Sequence, residues 1–458
     1  MAPFLQSLFW GLLLLSVLVF IHEGGHYLAA RLFNVRVKEF FLGMPCPLRL
    51  AHQSKDHGTL VGVTPILLGG YTMICGMEGQ PDERMAAVLA SVSRHGRVDV
   101  ETVATEVGCE LEEAYQMLAT LADWASVEPY YDPELGEQPN QANWPRSFQT
   151  PARDAQMLTI YDKGHQLDGP GASAAGEARE LPCAAEDFLA QERSHTYLGC
   201  NFWQRLLMLA MGPLFNIVTS IALVIVVYTG FGALTVLDVP TIGDIEAGSL
   251  AEQAGLEPGD TLVAINGLTF DTWEGMGDAI QAGLSAGGEM VIDYERAGEA
   301  ATTSVMLEEG VEYEILGVTP TVERVHIPPL ESARFAFSYA WQVATYVVQL
   351  LVPQHTMEIL DNSTSVVGIS RMAAEAANTS IEDFLMLASS ISMSLGFMNL
   401  LPIPPLDGGK IVLEVVELIR KKPLSPRATN IVSYVGLAFF LFIFVYVLRL
   451  DIFRIISG

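Results

Sequence analysis

The sequence predicts a polytopic α-helical membrane protein. Four transmembrane helices are expected, with a membrane-associated β-hairpin sheet, one α+β domain outside the membrane and a helical, winged-helix-like insertion in the cytoplasm. Half of the 458 residues are hydrophobic, only 17% are charged, and the mean hydropathy is +0.33. Uncharged runs at 8–21, 206–230 and 431–448 approach or exceed the ~20 residues that span a hydrocarbon core. A wholly soluble protein rarely combines these properties.

Charge and cysteine content exclude two classes of protein. The formal net charge is −28, so the soluble parts offer little to neutralise phosphate and no nucleic-acid partner is expected. Five cysteines without paired spacing predict neither a disulfide framework nor a cysteine-based zinc ribbon.

Residues 1–31 are predicted to be a retained first transmembrane helix. A cleaved signal peptide is disfavoured because no basic leader precedes the apolar run. The basic residues that follow mark the next loop as cytoplasmic by the positive-inside rule; they are Arg31, Arg36, Lys38, Arg49 and Lys55. The other predicted spans are residues 202–231, 381–409 and 431–448, and a second basic cluster follows the third span.

The segments between the spans differ in kind. Residues 32–77 alternate β-branched or aromatic stretches with Gly and Pro, which predicts a hairpin sheet at the cytoplasmic face. Acidic residues far outnumber basic ones in the insertion, residues 78–195. Apolar residues at helical spacing over 85–131 predict three short helices of a winged-helix-like module, with turns at Gly96 and Gly108, and residues 132–195 have the composition of a linker.

The segments beyond the second span are expected outside the cytoplasm. Residues 236–325 form a domain of soluble composition, with predicted strands at 261–265 and 290–294. Residues 330–378 are predicted to be an amphipathic region on the outer surface. The alternative is that the uncharged run 335–352 spans the membrane, but its polar residues recur at helical spacing and favour a surface helix.

The first span contains the pattern H-E-x-x-H at His22, Glu23 and His26. Histidines four apart share one face of a helix and can bind one Zn²⁺, while the glutamate can accept a proton from a water on the metal. Ionisable residues inside an apolar span are costly, and they usually face a cavity or an ion.

A third ligand is predicted at Asp407. A hydrolytic zinc needs three protein ligands and one open position. Because the first and third spans run in the same direction, Asp407 lies at the depth of the two histidines. The prolines before it end the third helix, so its carboxylate is expected on irregular backbone that lines a cavity, with glycines that let the chain turn. Asn399, about two turns earlier, is a candidate donor to a substrate carbonyl or oxyanion.

These motifs resemble those of the site-2 protease family of intramembrane zinc metalloproteases. The third span carries N-x-x-P-x-P-x-x-D-G-G over 399–409, the second carries G-P-x-x-N over 212–216, and Gly69, Gly70 and Tyr71 resemble the family's membrane-associated hairpin. Residues 249–267 resemble a bacterial PDZ domain. Within this family the chain is similar to the bacterial regulator of sigma-E protease. It departs from the best-known bacterial members, which carry tandem PDZ domains, in having one PDZ domain and the acidic insertion.

The resemblance implies an enzyme of the bacterial cytoplasmic (inner) membrane that cleaves transmembrane segments in regulated intramembrane proteolysis. Anti-sigma factors or signal-peptide remnants, which are single-span proteins in the lipid bilayer, are the implied substrates. Glu23 would be the general base, Zn²⁺ would bind His22, His26 and Asp407, and Gly69, Gly70 and Tyr71 would hold the unwound substrate as an added strand.

Several alternatives remain at this stage. The chain could be a non-enzymatic PDZ scaffold, although a scaffold has no use for four polar groups in lipid, or an ion transporter, although inverted repeats are not evident. The hairpin could simply pack against the membrane. The insertion could bind a cytoplasmic partner or be a solvated decoration.

Overall fold

The computed structural model describes residues 2–457 apart from residues 68, 78, 80–81, 140–142, 308–312, 314, 423 and 425. The chain divides into two compact units, one formed by residues 1–224 with 335–458 and the other by residues 225–334. Among the described residues, four helices are long and apolar enough to cross a membrane, at the four predicted places: Phe4–Leu32, Phe202–Phe231, Ile381–Asn399 and Ala428–Arg454.

The first helix leads directly into a four-stranded sheet. Their bounds are α1 (Ala2–Leu32), β1 (Val37–Leu42), β2 (Leu50–Gln53), β3 (Leu60–Val63) and β4 (Gly70–Ile74). The strand order is β2-β3-β1-β4, and β1 is parallel to β3 but antiparallel to β4. The sheet is therefore mixed rather than a simple hairpin, and β4 forms one edge of it.

The insertion folds as helices around a small sheet. Its elements are α2 (Met85–His95), β5 (Arg97–Asp99), α3 (Val100–Val107), α4 (Leu111–Asp123), β6 (Glu128–Tyr130), β7 (Ser147–Gln149) and α5 (Ala185–Ser194). Helices α2, α3 and α4 lie where the apolar spacing predicts them. Gly96 and Gly108 follow two of these helices, each with φ 73°, so the predicted turns are confirmed.

The prediction that residues 132–195 form a linker is wrong. Phe148 and Phe188 are 0% and 1% exposed, and with Met157 they lie in the same apolar core as the buried faces of α2, α3 and α4. These apolar residues are too widely spaced to produce a periodic pattern, so the Gly, Pro and Ala between them dominate the composition.

A buried ion-pair network joins the first sheet to the insertion. The guanidinium of Arg36, one residue before β1, lies 2.7 Å from Asp162 and 2.8 Å from Glu192, and Arg153 lies 2.9 Å from Glu192. Burial alone would raise the pKa of the Glu192 carboxyl, but the two guanidinium groups outweigh burial and hold the pKa well below its usual range. Two cations and two anions therefore neutralise one another, and the insertion is fixed to the sheet.

Residues 225–334 form the second unit, into which α6 (Phe202–Val226) runs through a π-helical turn. Strands β10 (Thr261–Ile265) and β12 (Glu289–Arg296) match the predicted strands, and the order of the main sheet is β11-β10-β12-β13. Strand β9 pairs with β14, and β8 pairs with β15. The remaining elements are β8 (Ala233–Val236), β9 (Ile242–Ile245), α7 (Leu250–Gln253), β11 (Leu268–Thr269), α8 (Trp273–Ala286), β13 (Glu299–Met306), β14 (Val318–Pro320) and β15 (Val322–Val325).

The last part of the chain is helical. It comprises α9 (Pro329–Gln349), α10 (Pro353–Asp361), α11 (Val366–Thr379), α12 (Ile381–Asn399), α13 (Asp407–Arg420) and α14 (Pro426–Ser457). Helices α9 and α10 form a pair bent by 115°, which has the shape of a broken span or a re-entrant loop.

The region 330–378 is helical, and its place on the outer surface stays a prediction. The polar positions Ser338, Gln342, Thr345 and Gln349 are exposed, as their spacing predicts. The opposite face packs inside the first unit, because Val347 and Leu350 share a buried cluster with Leu401 of the loop after α12 and Val447 of α14. The spacing of the polar residues identifies the exposed face of α9 but does not indicate what packs against the other face.

Helix α11 lies beside the first half of α1. Gln6 donates a 2.7 Å hydrogen bond to Asn378, and a Cβ placed on Gly11 would lie 2.1 Å from the Ser370 hydroxyl. Asp451, which the sequence places beyond the fourth span, lies within α14, is 5% exposed and accepts a hydrogen bond from the backbone N–H of Ser365.

We predict that Arg36→Met lowers the free energy of unfolding by about 3–5 kcal/mol, because it leaves two buried carboxylates with too few cations. The matched control is Arg49→Met on the same sheet, whose ion pair with Glu39 is partly exposed and contributes under about 1 kcal/mol. Thermal or chemical unfolding of both variants in detergent measures the difference. Equal losses would contradict the buried network.

Candidate active site

Helix α1 presents Glu23 and His26 of the H-E-x-x-H motif at the wall of a cavity. His22 and His26 lie on one helical face and are 8% and 9% exposed. The Nδ1 atom of His26 is 2.7 Å from the backbone carbonyl of Met208 on α6. If Nδ1 carries the proton, it donates to this carbonyl and the Nε2 lone pair is free to bind a metal.

Asp407 is the first residue of α13. The seven residues between α12 and α13 contain the three prolines, so the irregular backbone ends just before the carboxylate rather than carrying it. Gly408 and Gly409 do not adopt positive φ, and their predicted role in a turn is wrong. A Cβ on Gly408 would lie 2.2 Å from the carbonyl of Leu400, so the glycines allow α13 to begin in close contact with this loop.

The three predicted metal-binding residues meet. The Nε2 atoms of His22 and His26 are 3.2 Å apart, and a carboxylate oxygen of Asp407 lies 3.0 Å from the first and 3.3 Å from the second. Within the described part of the chain, His22, His26 and Asp407 form a group of potential metal ligands. Their ligand atoms all lie within 4.8 Å of one another.

The triangle fits tetrahedral zinc. Ligand atoms about 2.0–2.1 Å from a tetrahedral ion are about 3.3 Å from one another, and the three measured separations are close to that value. Two imidazole nitrogens and one carboxylate leave the fourth position open, as a hydrolytic site requires.

Helix α6 crosses α1 at the predicted metal-binding residues. A Cβ on Gly212 would lie 2.2 Å from the Nε2 of His26, and one on Gly25 would lie 2.3 Å from the backbone carbonyl of Met211. Only glycine permits this approach from either helix. The glycine of the G-P-x-x-N element therefore leaves room for the imidazole of His26.

Glu23 and Asp407 line one cavity of about 190 Å³. His26, Tyr197 and Lys410 also contribute to its wall. The Glu23 carboxylate has no hydrogen-bond partner among the residues described, so it is free to exchange a proton with a molecule in the cavity. Its neighbours in the cavity are His26 and Asp407, two of the predicted zinc ligands, which is the arrangement that a general base requires.

The edge strand β4 is brought to the same cavity. Tyr71 and Thr72 line it, the Thr72 hydroxyl donates a 3.1 Å hydrogen bond to the backbone carbonyl of Glu23, and a Cβ on Gly70 would lie 3.8 Å from the Cγ of Glu23. Gly69, with φ +139°, faces Val19 and Met44 instead. Two of the three predicted hairpin residues thus lie beside the H-E-x-x-H motif.

Asn399 is not among the residues that line the cavity. Its side-chain amide donates a 3.0 Å hydrogen bond to the carbonyl of Leu395 in its own helix. Its contact with a substrate carbonyl stays a prediction.

The sequence reasoning did not identify Tyr197 and Lys410 as cavity residues. Lys410 had a usable signal, because it follows Asp407 by three residues and shares its helical face. Tyr197 had none, since it precedes the second span and reaches the cavity only through the tertiary fold.

Comparison with known proteins decides the family. The sequence model of Peptidase family M50 matches residues 10–443. The chain belongs to peptidase family M50. This M50 protein is accordingly a zinc metalloprotease of the site-2 type that acts in intramembrane proteolysis, and the resemblance of its motifs is confirmed.

Curated relatives are similar over nearly their full length. A Lactococcus lactis protein whose name includes zinc metalloprotease is 28% identical over 98% of this chain and 99% of its own. Zinc metalloprotease RasP of Shouchella clausii is 26% identical over 96% and 97%. The RasP protein of Geobacillus kaustophilus is 24% identical over 99% of both chains. This agreement disfavours the scaffold and transporter alternatives.

We predict that Gly212→Ala lowers zinc occupancy and reduces the cleavage rate about 10²-fold, because the added methyl displaces the His26 ring by a distance that matters for a reacting geometry. The control is Gly24→Ala within the same motif, whose Cβ would meet nothing nearer than 3.8 Å and should leave both properties unchanged. Zinc content by mass spectrometry and cleavage of a transmembrane peptide test the pair. Full occupancy in the Gly212 variant would show that the helix crossing does not fix His26.

Proposed function

We propose that this M50 protease hydrolyses a peptide bond within a transmembrane segment, with Zn²⁺ held by His22, His26 and Asp407 and with Glu23 as general base. The observation that carries the proposal is the buried triangle of ligand atoms beside the free Glu23 carboxylate in one cavity. When bound, the zinc supplies a Lewis acid that polarises the scissile carbonyl and lowers the pKa of water.

Glu23 moves the proton. It accepts a proton from the attacking water as the new C–O bond forms, and it returns that proton to the nitrogen as the C–N bond breaks. The reaction consumes one water and yields a carboxylic acid and an amine. The hydrogen bond from Thr72 to the backbone of Glu23 fixes the position of this residue relative to β4.

The substrate is proposed to bind as a strand along β4. A transmembrane helix bonds its own carbonyls internally and resists hydrolysis, so it must unwind before its peptide bonds reach the cavity. Strand β4 pairs with β1 and is at the edge of its sheet, so it can accept a further strand. Gly69, Gly70 and Tyr71 begin this edge, and two of them lie against α1 near Glu23.

The proposed location is the cytoplasmic membrane of a bacterium. The basic residues after α1 and after Asp407 support an orientation in which the insertion and the catalytic face point toward the cytoplasm. The second unit is proposed to be a PDZ domain outside the cytoplasm that controls substrate access. Single-span membrane proteins such as anti-sigma factors or signal-peptide remnants are the proposed substrates.

The insertion is proposed to bind a cytoplasmic partner while it holds the sheet. Residues 85–131 are proposed to form a winged-helix-like module, whose acidic composition is unsuited to nucleic acid. A partner that binds it would act on β1 through Arg36, because the ion-pair network joins the insertion to the residue before this strand.

We predict that Asp407→Ala lowers both zinc occupancy and proteolysis, because only two protein ligands remain. Glu23→Gln should retain the metal and lose about 10²- to 10⁴-fold in rate, since a general base is not itself a ligand. Zinc content and cleavage of one transmembrane peptide separate the two roles. An Asp407 variant with normal zinc and normal activity would refute the assigned site.

The topology is tested by labelling in intact cells. Ser285 lies on an exposed turn of α8 and Cys183 is exposed in the insertion. We predict that a membrane-impermeant maleimide labels Ser285→Cys, in a background without Cys183 and Cys46, before the cytoplasmic membrane is permeabilised. The native Cys183 should react only after permeabilisation, and the reverse pattern would invert the orientation.

A further inference from the structure

The cavity wall carries five side chains that can donate hydrogen bonds. Two of them, on β4, are engaged within the protein. The Tyr71 hydroxyl donates to the Glu39 carboxylate at 2.6 Å, and the Thr72 hydroxyl donates to the backbone carbonyl of Glu23 at 3.1 Å. Neither is free to donate to a substrate without breaking a bond that fixes the strand.

Two more donors are engaged on the opposite wall. His26 uses its Nδ1 for the Met208 carbonyl, while its Nε2 faces the metal-binding triangle. The Tyr197 hydroxyl donates to Glu414 at 2.9 Å. Burial and the adjacent Glu414 carboxylate raise the pKa of Tyr197 well above its usual range, so this hydroxyl stays protonated and stays bonded to Glu414.

Lys410 is the fifth donor. Its ammonium has neither a hydrogen bond nor an ion pair within the part of the chain that the structure describes. Among the residues that line the cavity, Lys410 carries a cationic side chain, and Glu23 and Asp407 carry carboxylates. The residue as a whole is exposed, so its four-carbon stem is free to move the ammonium within the cavity.

The usual partner of Lys410 is occupied elsewhere. A lysine and a glutamate four residues apart on a helix commonly pair, and Glu414 is at that position on α13. However, Glu414 accepts from Tyr197 and forms a 3.0 Å ion pair with Arg205. The fold thus turns Glu414 away and leaves the cation of Lys410 available one helical turn from Asp407.

Hydrolysis of an amide places negative charge on the carbonyl oxygen as water attacks, and preorganised donors to that oxygen accelerate the reaction. We propose that Lys410 supplies such a donor, and that its ammonium contacts the oxygen of the scissile carbonyl. The same ammonium can hold the carboxylate that this carbonyl becomes in the N-terminal product. Lys410 keeps its proton throughout, so the water, the amine and the carboxylic acid still balance.

This assignment rests on the proposed hydrolytic site and adds a residue to it. It also differs from the sequence-based expectation for Asn399, whose amide donates to Leu395 rather than into the cavity. Lys410 lies on the helix that begins with a metal-binding residue, so its backbone position is fixed relative to the reacting atoms.

The test uses the full chain with zinc bound, a model transmembrane peptide, and the variants Lys410→Met, Lys410→Arg and Lys422→Met. Lys422 is exposed just beyond α13 and controls for the loss of one positive charge. The expected result for Lys410→Met is normal zinc content and a kcat about 10²-fold lower, with most of kcat restored by arginine. The control should match the wild type.

A binding measurement distinguishes contact of Lys410 with the product carboxylate from its contact with the scissile carbonyl oxygen in the transition state. Wild-type protein should bind the N-terminal product peptide more tightly with a free carboxylate than with a C-terminal amide. Loss of this preference in Lys410→Met supports contact with the product carboxylate, and a lower kcat supports contact in the transition state.

Three results would overturn the proposal. They are unchanged kcat and unchanged carboxylate preference in Lys410→Met, a rise in KM alone, and loss of zinc from that variant. Failure of the underlying function has a different signature, because the wild type would then leave the peptide uncut or Glu23→Gln would cut it at the wild-type rate.

Discussion

The close crossing of α1 and α6 is the constraint on which the site depends. The backbone of Met211 and the imidazole of His26 occupy the space that side chains would otherwise fill at Gly25 and Gly212. Helices within a membrane gain little from hydrophobic contact with each other, so small residues that allow close packing determine which helices associate. The same contact lets the Met208 carbonyl orient His26. The packing of the two helices therefore also determines the orientation of a predicted zinc ligand.

Helix α6 also packs closely against α12, the helix that leads to Asp407, the predicted third ligand. A Cβ on Gly396 of α12 would lie 2.9 Å from the carbonyl of Pro213, and Ser392 donates to the carbonyl of Asn216 at 2.8 Å. The helix therefore packs between the element that carries the histidines and the element that leads to Asp407. Its motif G-P-x-x-N provides the space for α1 at Gly212. It also provides a backbone acceptor for α12 at Asn216.

Much of the site could be predicted because its chemistry is local in sequence. Two histidines one helical turn apart define a ligand pair without any knowledge of the fold, and the direction of the spans brings Asp407 to their depth. The four spans follow from length and hydropathy. The roles of Gly408 and Gly409 could not be predicted, since a missing Cβ serves a turn or a close contact equally well.

Features that depend on distant partners escaped the sequence. Phe148 and Phe188 lie in one core but are separated by a segment with no periodic pattern, so composition alone indicates a linker. Arg36 looks like one more member of a cytoplasmic basic cluster until its buried carboxylates are known. For α9, the polar spacing identifies the exposed face correctly, while the packing of the other face depends on Leu401 and Val447.

The ion pairs of Arg36 also determine the order in which the protein can be assembled during synthesis. Its partners Asp162 and Glu192 lie 126 and 156 positions further along the chain, and α6 begins ten residues after the second of them, at Phe202. A chain emerging from the ribosome folds its N-terminal parts first. Arg36, one residue before the first sheet, therefore lacks its full set of partners until the whole insertion has been translated. Helix α6, whose Met208 carbonyl contacts His26, is translated directly afterwards. The pocket around the predicted zinc ligands is consequently a late product of biosynthesis, formed only after the insertion has been translated.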